Sequence, residues 1–200
     1  MGEGSKKGPP AKKGVFFMRK ETARIMKLLV VSILIAVSFI LSRWQIPLLP
    51  PYTFLKFDLS EAPLIIAVLL YPELTFITAL AYTAIIYMLH DPLGATFKVI
   101  AVLSMIIPIG LGNYLIKRKY RTFYTHISLI IIGILLRIFI MVGINYYLLE
   151  IKHVMGNFSL PPTYYTIVIP AFNTGQALIN AIVGYITVIY IQKIYGEESI

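Results

Sequence analysis

Six mostly apolar stretches account for most of the chain, and short polar or proline-containing segments separate them. They cover residues 25–41, 59–71, 74–89, 96–116, 127–149 and 164–191. An α-helix needs about 20 apolar residues to cross the roughly 30 Å hydrocarbon core of a bilayer. The pattern therefore predicts an all-α integral membrane protein with six transmembrane helices.

The second stretch is short for a membrane span. Its 13 residues, rising about 1.5 Å each, reach only about 20 Å. We expect either a short helix or one that begins inside the preceding loop. The charges still favour six crossings, because merging the second and third stretches would place the basic segment 117–121 outside, against the positive-inside rule.

The positions of the basic residues predict the orientation. With six crossings and both termini in the cytoplasm, thirteen of the eighteen Lys and Arg residues lie on the inner side, as the positive-inside rule expects. Three connections then lie outside, at residues 43–58, 90–94 and 150–163. The net charge of +9 is spread between apolar runs, which argues against a nucleic-acid partner.

Composition supports a membrane protein over a soluble one. The chain is 58% hydrophobic and only 14% charged, whereas soluble domains average about 25% charged residues. Cysteine is absent, which excludes disulfides, thiolate metal sites and a cysteine nucleophile. We expect a single membrane domain over residues 20–196, with a basic disordered tail at 1–19 and a short tail at 197–200. The internal Met18 favours a non-native origin for part of the first tail.

The first outer loop is the strongest candidate for ligand binding. Residues 44–58 contain three prolines and four aromatic residues among few charges. Proline stiffens the backbone, and aromatic faces cover planar ligands. An aromatic belt at the membrane interface explains the same composition without a ligand. Composition alone therefore leaves both readings open for the segment 50–58.

Polar residues inside or near the helices are few. Asp58 and Glu61 begin the second helix, where capping is the favoured interpretation. Arg137 lies at membrane depth and should pair with a carboxylate, carbonyls or water, which favours a structural role. Asn145, eight residues later on nearly the same face, offers an amide either to a hydroxyl-bearing ligand or to a neighbouring helix.

The last helix carries two more amides. Asn173 and Gln176 are three residues apart and thus neighbours on one face, where they suit an imide-edged ligand or hydrogen bonds between helices. Lys98, near the outer end of the fourth helix, either meets a ligand carbonyl or snorkels to the interface. On the first helix, Ser32 and Ala36 form a pair of small residues that allows close approach of another helix.

Catalytic and nucleotide-binding motifs are missing from the sequence. There is no GxxxxGK[ST] phosphate-binding loop, so the chain is not expected to hydrolyse ATP by itself. His90, His126 and His153 lie in separate loops without metal-ligand spacing. We therefore expect no enzyme activity, no metal and no cofactor.

From about Lys20 onward the chain resembles the substrate-binding S components of energy-coupling factor (ECF) vitamin transporters, in particular the riboflavin-binding branch. The residues that carry the resemblance are Pro50-Pro51-Tyr52, Leu55-Lys56-Phe57-Asp58-Leu59-Ser60-Glu61-Ala62-Pro63, Asp91-Pro92 with Gly94, Arg137, Asn145-Tyr146 and Phe172-Asn173. Their order over six predicted helices makes the resemblance specific.

The resemblance implies a six-helix S-component fold in the cell (cytoplasmic) membrane that binds riboflavin, and FMN as a further candidate, from outside beneath a lid formed by the first outer loop. The implied ligand-binding residues are Leu55, Lys56, Phe57, Asp58, Lys98, Asn145, Asn173 and Gln176. The implied partners are a transmembrane coupling subunit, reached through Ser32 and Ala36, and two ATPase subunits. Two positions depart from the family pattern: Gln176 stands where Lys is frequent, and Ser32/Ala36 where Ala/Ala is common.

Two alternatives stay open at this point. An S component for a different vitamin or a nucleobase-like compound would keep the fold and change the substrate. A small membrane enzyme or assembly protein is the other, although no catalytic constellation supports it.

Overall fold

The computed structural model describes residues 13–48, 55–89, 91–116, 122–151 and 161–195. Most of these residues are helical, and one two-stranded ribbon lies between the first and the second helix. The helices are α1 (Lys13–Leu41), α2 (Glu61–Leu70), α3 (Thr75–Leu89), α4 (Pro92–Leu115), α5 (Phe123–Asn145) and α6 (Ile169–Tyr195), and the strands are β1 (Ile46–Pro47) and β2 (Lys56–Phe57). A 3₁₀ turn, Pro72–Leu74, joins α2 to α3, and π-helical turns at Tyr146–Ile151 and Tyr164–Val168 flank the α5–α6 connection.

Four helices are long and apolar enough to cross a membrane: Glu21–Leu41, Pro92–Leu115, Phe123–Leu148 and Tyr164–Ile194. The number becomes five if the bent pair Glu61–Leu70 and Pro72–Met88 is counted as one span. The prediction of an all-α, multi-pass membrane protein is therefore confirmed. The six separate crossings remain a prediction, because α2 and α3 are each short.

Helix α2 forms the centre of the molecule. All ten of its residues are buried, and it packs against α1, α4 and α6. A helix that is apolar all round needs such an enclosed position. Ten residues rise about 15 Å, so the shortness expected from the sequence is confirmed.

The bent pair, which consists of α2 and α3, extends along part of α1 and then turns back. Near one end, Ser38 donates a hydrogen bond to the Ser60 carbonyl oxygen at 2.5 Å; near the other, Lys27 pairs with Glu73 at 2.7 Å. Lys27 and Ser38 are eleven positions apart, which corresponds to about 16 Å along α1. Helix α2 therefore extends through roughly half of a 30 Å hydrocarbon core.

Helix α1 begins earlier than the sequence suggests. The predicted disordered tail ends at residue 19, whereas the structure places residues 13–19 in α1. This segment contains no proline, and extending an existing helix avoids the cost of a new nucleus. Residues 1–12 and 196–200 lie outside the described part of the chain.

Glycines let α4 approach its neighbours closely. A Cβ added at Gly110 would lie 2.1 Å from Thr75 Oγ1 and 2.9 Å from Thr75 Cβ. Thr75 cannot move away easily, because it is 1% exposed and its hydroxyl bonds to the Pro72 carbonyl oxygen. Gly110 thus holds the start of α3 against α4.

We expect Gly110→Ala to destabilise the protein by about 1–3 kcal/mol, the usual cost of overpacking a dense interior. The measurement is the thermal unfolding midpoint in detergent. Gly143→Ala is the matched control, because a Cβ at this helical glycine meets no atom within 4 Å and Ala favours helix over Gly. Equal midpoints for the two variants would contradict the prediction.

Candidate functional site

A cavity of about 360 Å³ lies between the ribbon, the start of α2 and helices α4, α5 and α6. Its volume falls within the range of small-molecule sites. The residues that line it are Gln45, Leu55, Lys56, Asp58, Glu61, Asp91, Leu93, Gly94, Phe97, Lys98, Ala101, Arg137, Met141, Asn145, Ile169, Phe172, Asn173 and Gln176. The lining combines aromatic faces, carboxamides and charged groups.

The ribbon brings the first outer loop to the cavity. Strands β1 and β2 pair antiparallel, with Ile46 opposite Phe57 and Pro47 opposite Lys56. The Leu48 N–H extends the pairing by donating to the Leu55 carbonyl oxygen at 2.7 Å. The loop therefore returns over the helix ends as a short hairpin. Its predicted Pro50–Phe54 portion lies outside the described residues.

Asp58 fixes the end of this hairpin to α6. Its N–H donates to Gln176 Oε1 at 3.3 Å, and its carbonyl oxygen accepts from Gln176 Nε2 at 2.8 Å and from Asn180 Nδ2 at 2.9 Å. Asn180 Oδ1 also accepts the Ala62 N–H at 2.9 Å. The two amides of α6 thus replace the backbone partners that this non-helical segment lacks.

The Asp58 side chain joins the hairpin to α4. Its Oδ2 accepts from Lys98 Nζ at 2.5 Å, and Oδ1 accepts from the Ser60 N–H at 3.0 Å. The predicted capping role of Asp58 is wrong, because Ser60 is the N-cap of α2 and Asp58 accepts from the Ser60 N–H before the helix begins. Lys98 does not snorkel away, because its ammonium group is paired within the site.

A second buried ion pair connects α2 with α5. Arg137 donates from Nη1 to Glu61 Oε2 and from Nε to Asn173 Oδ1, the latter at 3.0 Å. Arg137 was expected to pair with a carboxylate, carbonyls or water, and the structure shows that its partner is a carboxylate. The capping interpretation of Glu61 is wrong, because its carboxylate pairs with Arg137 instead. Charges at this depth need partners, and the pair satisfies both.

Asn145 presents an acceptor to the cavity. Its amide nitrogen donates to the Met141 carbonyl oxygen one turn earlier at 2.8 Å, while no described residue is hydrogen-bonded to its Oδ1. The side chain is 5% exposed and lines the cavity. The amide therefore binds to its own helix and leaves its oxygen for another group.

Seven of the eight predicted ligand-binding residues line this one cavity: Leu55, Lys56, Asp58, Lys98, Asn145, Asn173 and Gln176. Phe57 does not line it, but its ring packs against that of Phe172, which does, at 4.8 Å between centroids. Sequence reasoning did not place Glu61, Phe97, Met141 or Phe172 in the site. Buried apolar and aromatic residues give no such signal, because any core helix contains them.

The charges of the lining balance. Lys56, Lys98 and Arg137 supply three cations, and Asp58, Glu61 and Asp91 supply three carboxylates. Asp91 also accepts a hydrogen bond from the Gly94 N–H at 2.7 Å as the cap of α4. The cavity therefore favours a neutral polar molecule over a strongly charged one.

Residues of two of the three connections that the sequence predicts outside, 43–58 and 90–94, line the cavity. Residues near the end of α1, the start of α4, the end of α5 and the start of α6 line it together. Asp58 and Glu61 precede or begin the bent pair, and Asp91 follows it. Both ends of the bent pair therefore lie at the cavity.

Ser32 and Ala36 do not line this cavity. Both are exposed on α1, together with Leu29, Ile33 and Val37. This face of α1 is therefore exposed, which the predicted contact with another subunit requires.

The fold is similar to the solved structure of the S component of a bacterial ECF transporter, with a TM-score of 0.69. The match covers 87% of this chain and 99% of that chain at 21% sequence identity. A helical membrane protein with the S-component fold is therefore the class that the structure defines. No protein-family model and no curated protein sequence matches the chain.

We expect Asn180→Ala to lower stability by about 1–3 kcal/mol, because it removes two buried hydrogen bonds to the Asp58–Ala62 segment. The measurement is again the thermal midpoint in detergent. Thr187→Ala on the same helix is the control, since the Thr187 hydroxyl is exposed and bonds only to the Val183 carbonyl oxygen of α6. A midpoint of Asn180→Ala equal to that of this control would contradict a stabilising role of the Asn180 hydrogen bonds.

Proposed function

We propose that this protein is the riboflavin-binding subunit of an ECF-type importer, which captures the vitamin outside the cell for ATP-driven uptake by partner subunits. The observation that carries the proposal is the single cavity that collects seven of the residues implied by the family resemblance. The S-component fold supports the transport class. The substrate is inferred from the family resemblance, and the chemistry of the lining is compatible with it.

Riboflavin joins a flat ring with an imide edge to a hydroxyl-bearing chain. Phe97 and Phe172 offer aromatic faces for the ring. The amides of Asn145 and Asn173 can exchange hydrogen bonds with imide and hydroxyl groups. The equal numbers of cations and carboxylates favour the neutral vitamin over its phosphorylated form, FMN.

The proposed topology has six helices, with both termini in the cytoplasm and α2 and α3 as two short crossings. The cavity then opens outward, where the vitamin arrives. Lys27 and Glu73 lie at the inner turn, in keeping with an excess of basic residues on that side. The coupling subunit would contact α1 at Ser32 and Ala36, and two ATPase subunits would supply the energy.

We expect purified protein to bind riboflavin tightly and Asn145→Ala to weaken binding by about tenfold or more, as the loss of a buried hydrogen bond implies. Asn173→Ala should weaken it as well. The measurement is quenching of riboflavin fluorescence on titration with protein, and a co-purified flavin would appear in the absorbance spectrum.

Asn113→Ala is the matched control for this titration. Asn113 is fully buried and donates to the Leu69 carbonyl oxygen at 2.9 Å, but it does not line the cavity. Its replacement should lower stability and leave flavin affinity unchanged. A folded wild-type sample that binds no riboflavin, while another vitamin or nucleobase binds, would move the proposal to the alternative substrate.

We expect Ala36→Leu to lower riboflavin uptake in cells that carry the coupling subunits, because a larger side chain separates α1 from a close partner. Riboflavin affinity of the isolated protein should not change. Ala84→Leu, at an exposed position of α3, is the control and should affect neither quantity. Normal uptake by Ala36→Leu would exclude this face as the contact.

A further inference from the structure

The guanidinium group of Arg137 has hydrogen-bonding capacity that the protein does not use. Arginine has five N–H donors in a planar fork. Nε donates to Asn173 and Nη1 to Glu61. Among the described residues, none accepts a hydrogen bond from Nη2. Nη2 is also not among the completely enclosed side-chain atoms that lack a hydrogen bond, so this nitrogen is not fully enclosed.

The position of Arg137 makes this free nitrogen significant. The residue is 2% exposed and still lines the cavity, so the access that remains is to the cavity. Donors held at such depth without acceptors are costly. The cavity can supply Nη2 with a partner, which is either an acceptor atom of the ligand or a water molecule that the ligand displaces.

We propose that Arg137 is a specificity-determining residue that contacts the ligand, donating from Nη2 to a carbonyl oxygen or ring nitrogen of a neutral heteroaromatic molecule. The inference rests on the proposed function and extends it to a residue whose sequence position indicated only a structural role. It also gives the substrate a required feature, which is an edge rich in hydrogen-bond acceptors.

The surroundings of Arg137 explain why the acceptor should be neutral. Glu61 compensates the positive charge directly, and Gln176 Nε2 donates to the other Glu61 oxygen at 3.4 Å. An anionic ligand at Nη2 would lie close to this carboxylate and be repelled by it. Asn173 holds the plane of the guanidinium group through Nε, so Nη2 is oriented before the ligand arrives.

Asn145 supplies the complementary feature on the same helix. Its Oδ1 accepts hydrogen bonds, and the eight residues from Arg137 correspond to about 12 Å along α5. A ligand that satisfies both groups carries acceptors at its inner end and donors, such as hydroxyls, at its outer end. This arrangement predicts the direction in which an elongated molecule enters.

A purely structural Arg137 would make the same contacts with Glu61 and Asn173, so affinity alone does not distinguish the two roles. The two roles differ in how the affinity depends on the hydrogen-bond acceptors of the ligand. We would measure the Kd of riboflavin and of analogues in which one acceptor is weakened or removed: 1-deaza-, 5-deaza-, 2-thio- and 4-thioriboflavin. The proteins are wild type, Arg137→Lys, Glu61→Gln and the double variant Glu61→Gln/Arg137→Gln.

In wild type, at least one analogue should bind about 10–100-fold more weakly than riboflavin, the effect of losing a hydrogen bond from a charged donor. Arg137→Lys keeps the charge but lacks the planar fork, so riboflavin should bind more weakly than to wild type. The penalty for that analogue, which is its loss of affinity relative to riboflavin, should disappear in this variant. The double variant should behave in the same way without leaving an unpaired buried charge. Glu61→Gln retains Arg137 and should retain the penalty.

Thermal midpoints measured in parallel identify any variant that fails to fold, and the wild-type panel tests the inference even then. Equal affinity of wild type for riboflavin and all four analogues would overturn it, as would unchanged penalties in a folded Arg137 variant. Both results leave the proposed function intact. Absence of riboflavin binding by folded wild type would overturn the proposed function and this inference together.

Discussion

Charged groups buried in a membrane protein need partners, and this requirement organises the centre of the molecule. The Arg137–Glu61 pair fixes α5 to α2, and the Lys98–Asp58 pair fixes α4 to the hairpin that precedes α2. Asn173 and Gln176 of α6 complete the hydrogen bonds of the Arg137–Glu61 pair, and Gln176 and Asn180 bond to the Asp58 backbone. One polar network thus holds four helices and the hairpin around the cavity.

The same network explains why the cavity lies where α2 begins. A non-helical segment at residues 58–60 exposes backbone groups that lipid cannot satisfy. The α6 amides satisfy them, and the enclosed apolar helix α2 follows directly. Between these elements remains a space lined by aromatic rings and by polar atoms whose capacity is only partly used. Ligand binding and structural integrity therefore depend on many of the same residues.

Much of the candidate site could be predicted from sequence because intramembrane polar residues are few. Asn145, Asn173 and Gln176 are polar residues within apolar runs. The cost of an isolated charge predicted that Arg137 has a partner, and left open whether this is a carboxylate, carbonyls or water. Their partners could not be predicted. Glu61 occupied a position typical of a helix cap, and Lys98 one typical of a snorkelling side chain, since local position gives no information on which distant group lies opposite.

The sequence by itself determined the class of protein, the approximate bounds of its helices and the shortness of the second one, because hydrophobic run length is a local property that the bilayer thickness tests directly. Only the tertiary structure decided that α2 is enclosed, that both ends of the bent pair lie at the cavity and that seven predicted residues share this cavity. These features arise from contacts between residues as far apart as Asp58 and Asn180. Periodicity and composition do not record such contacts.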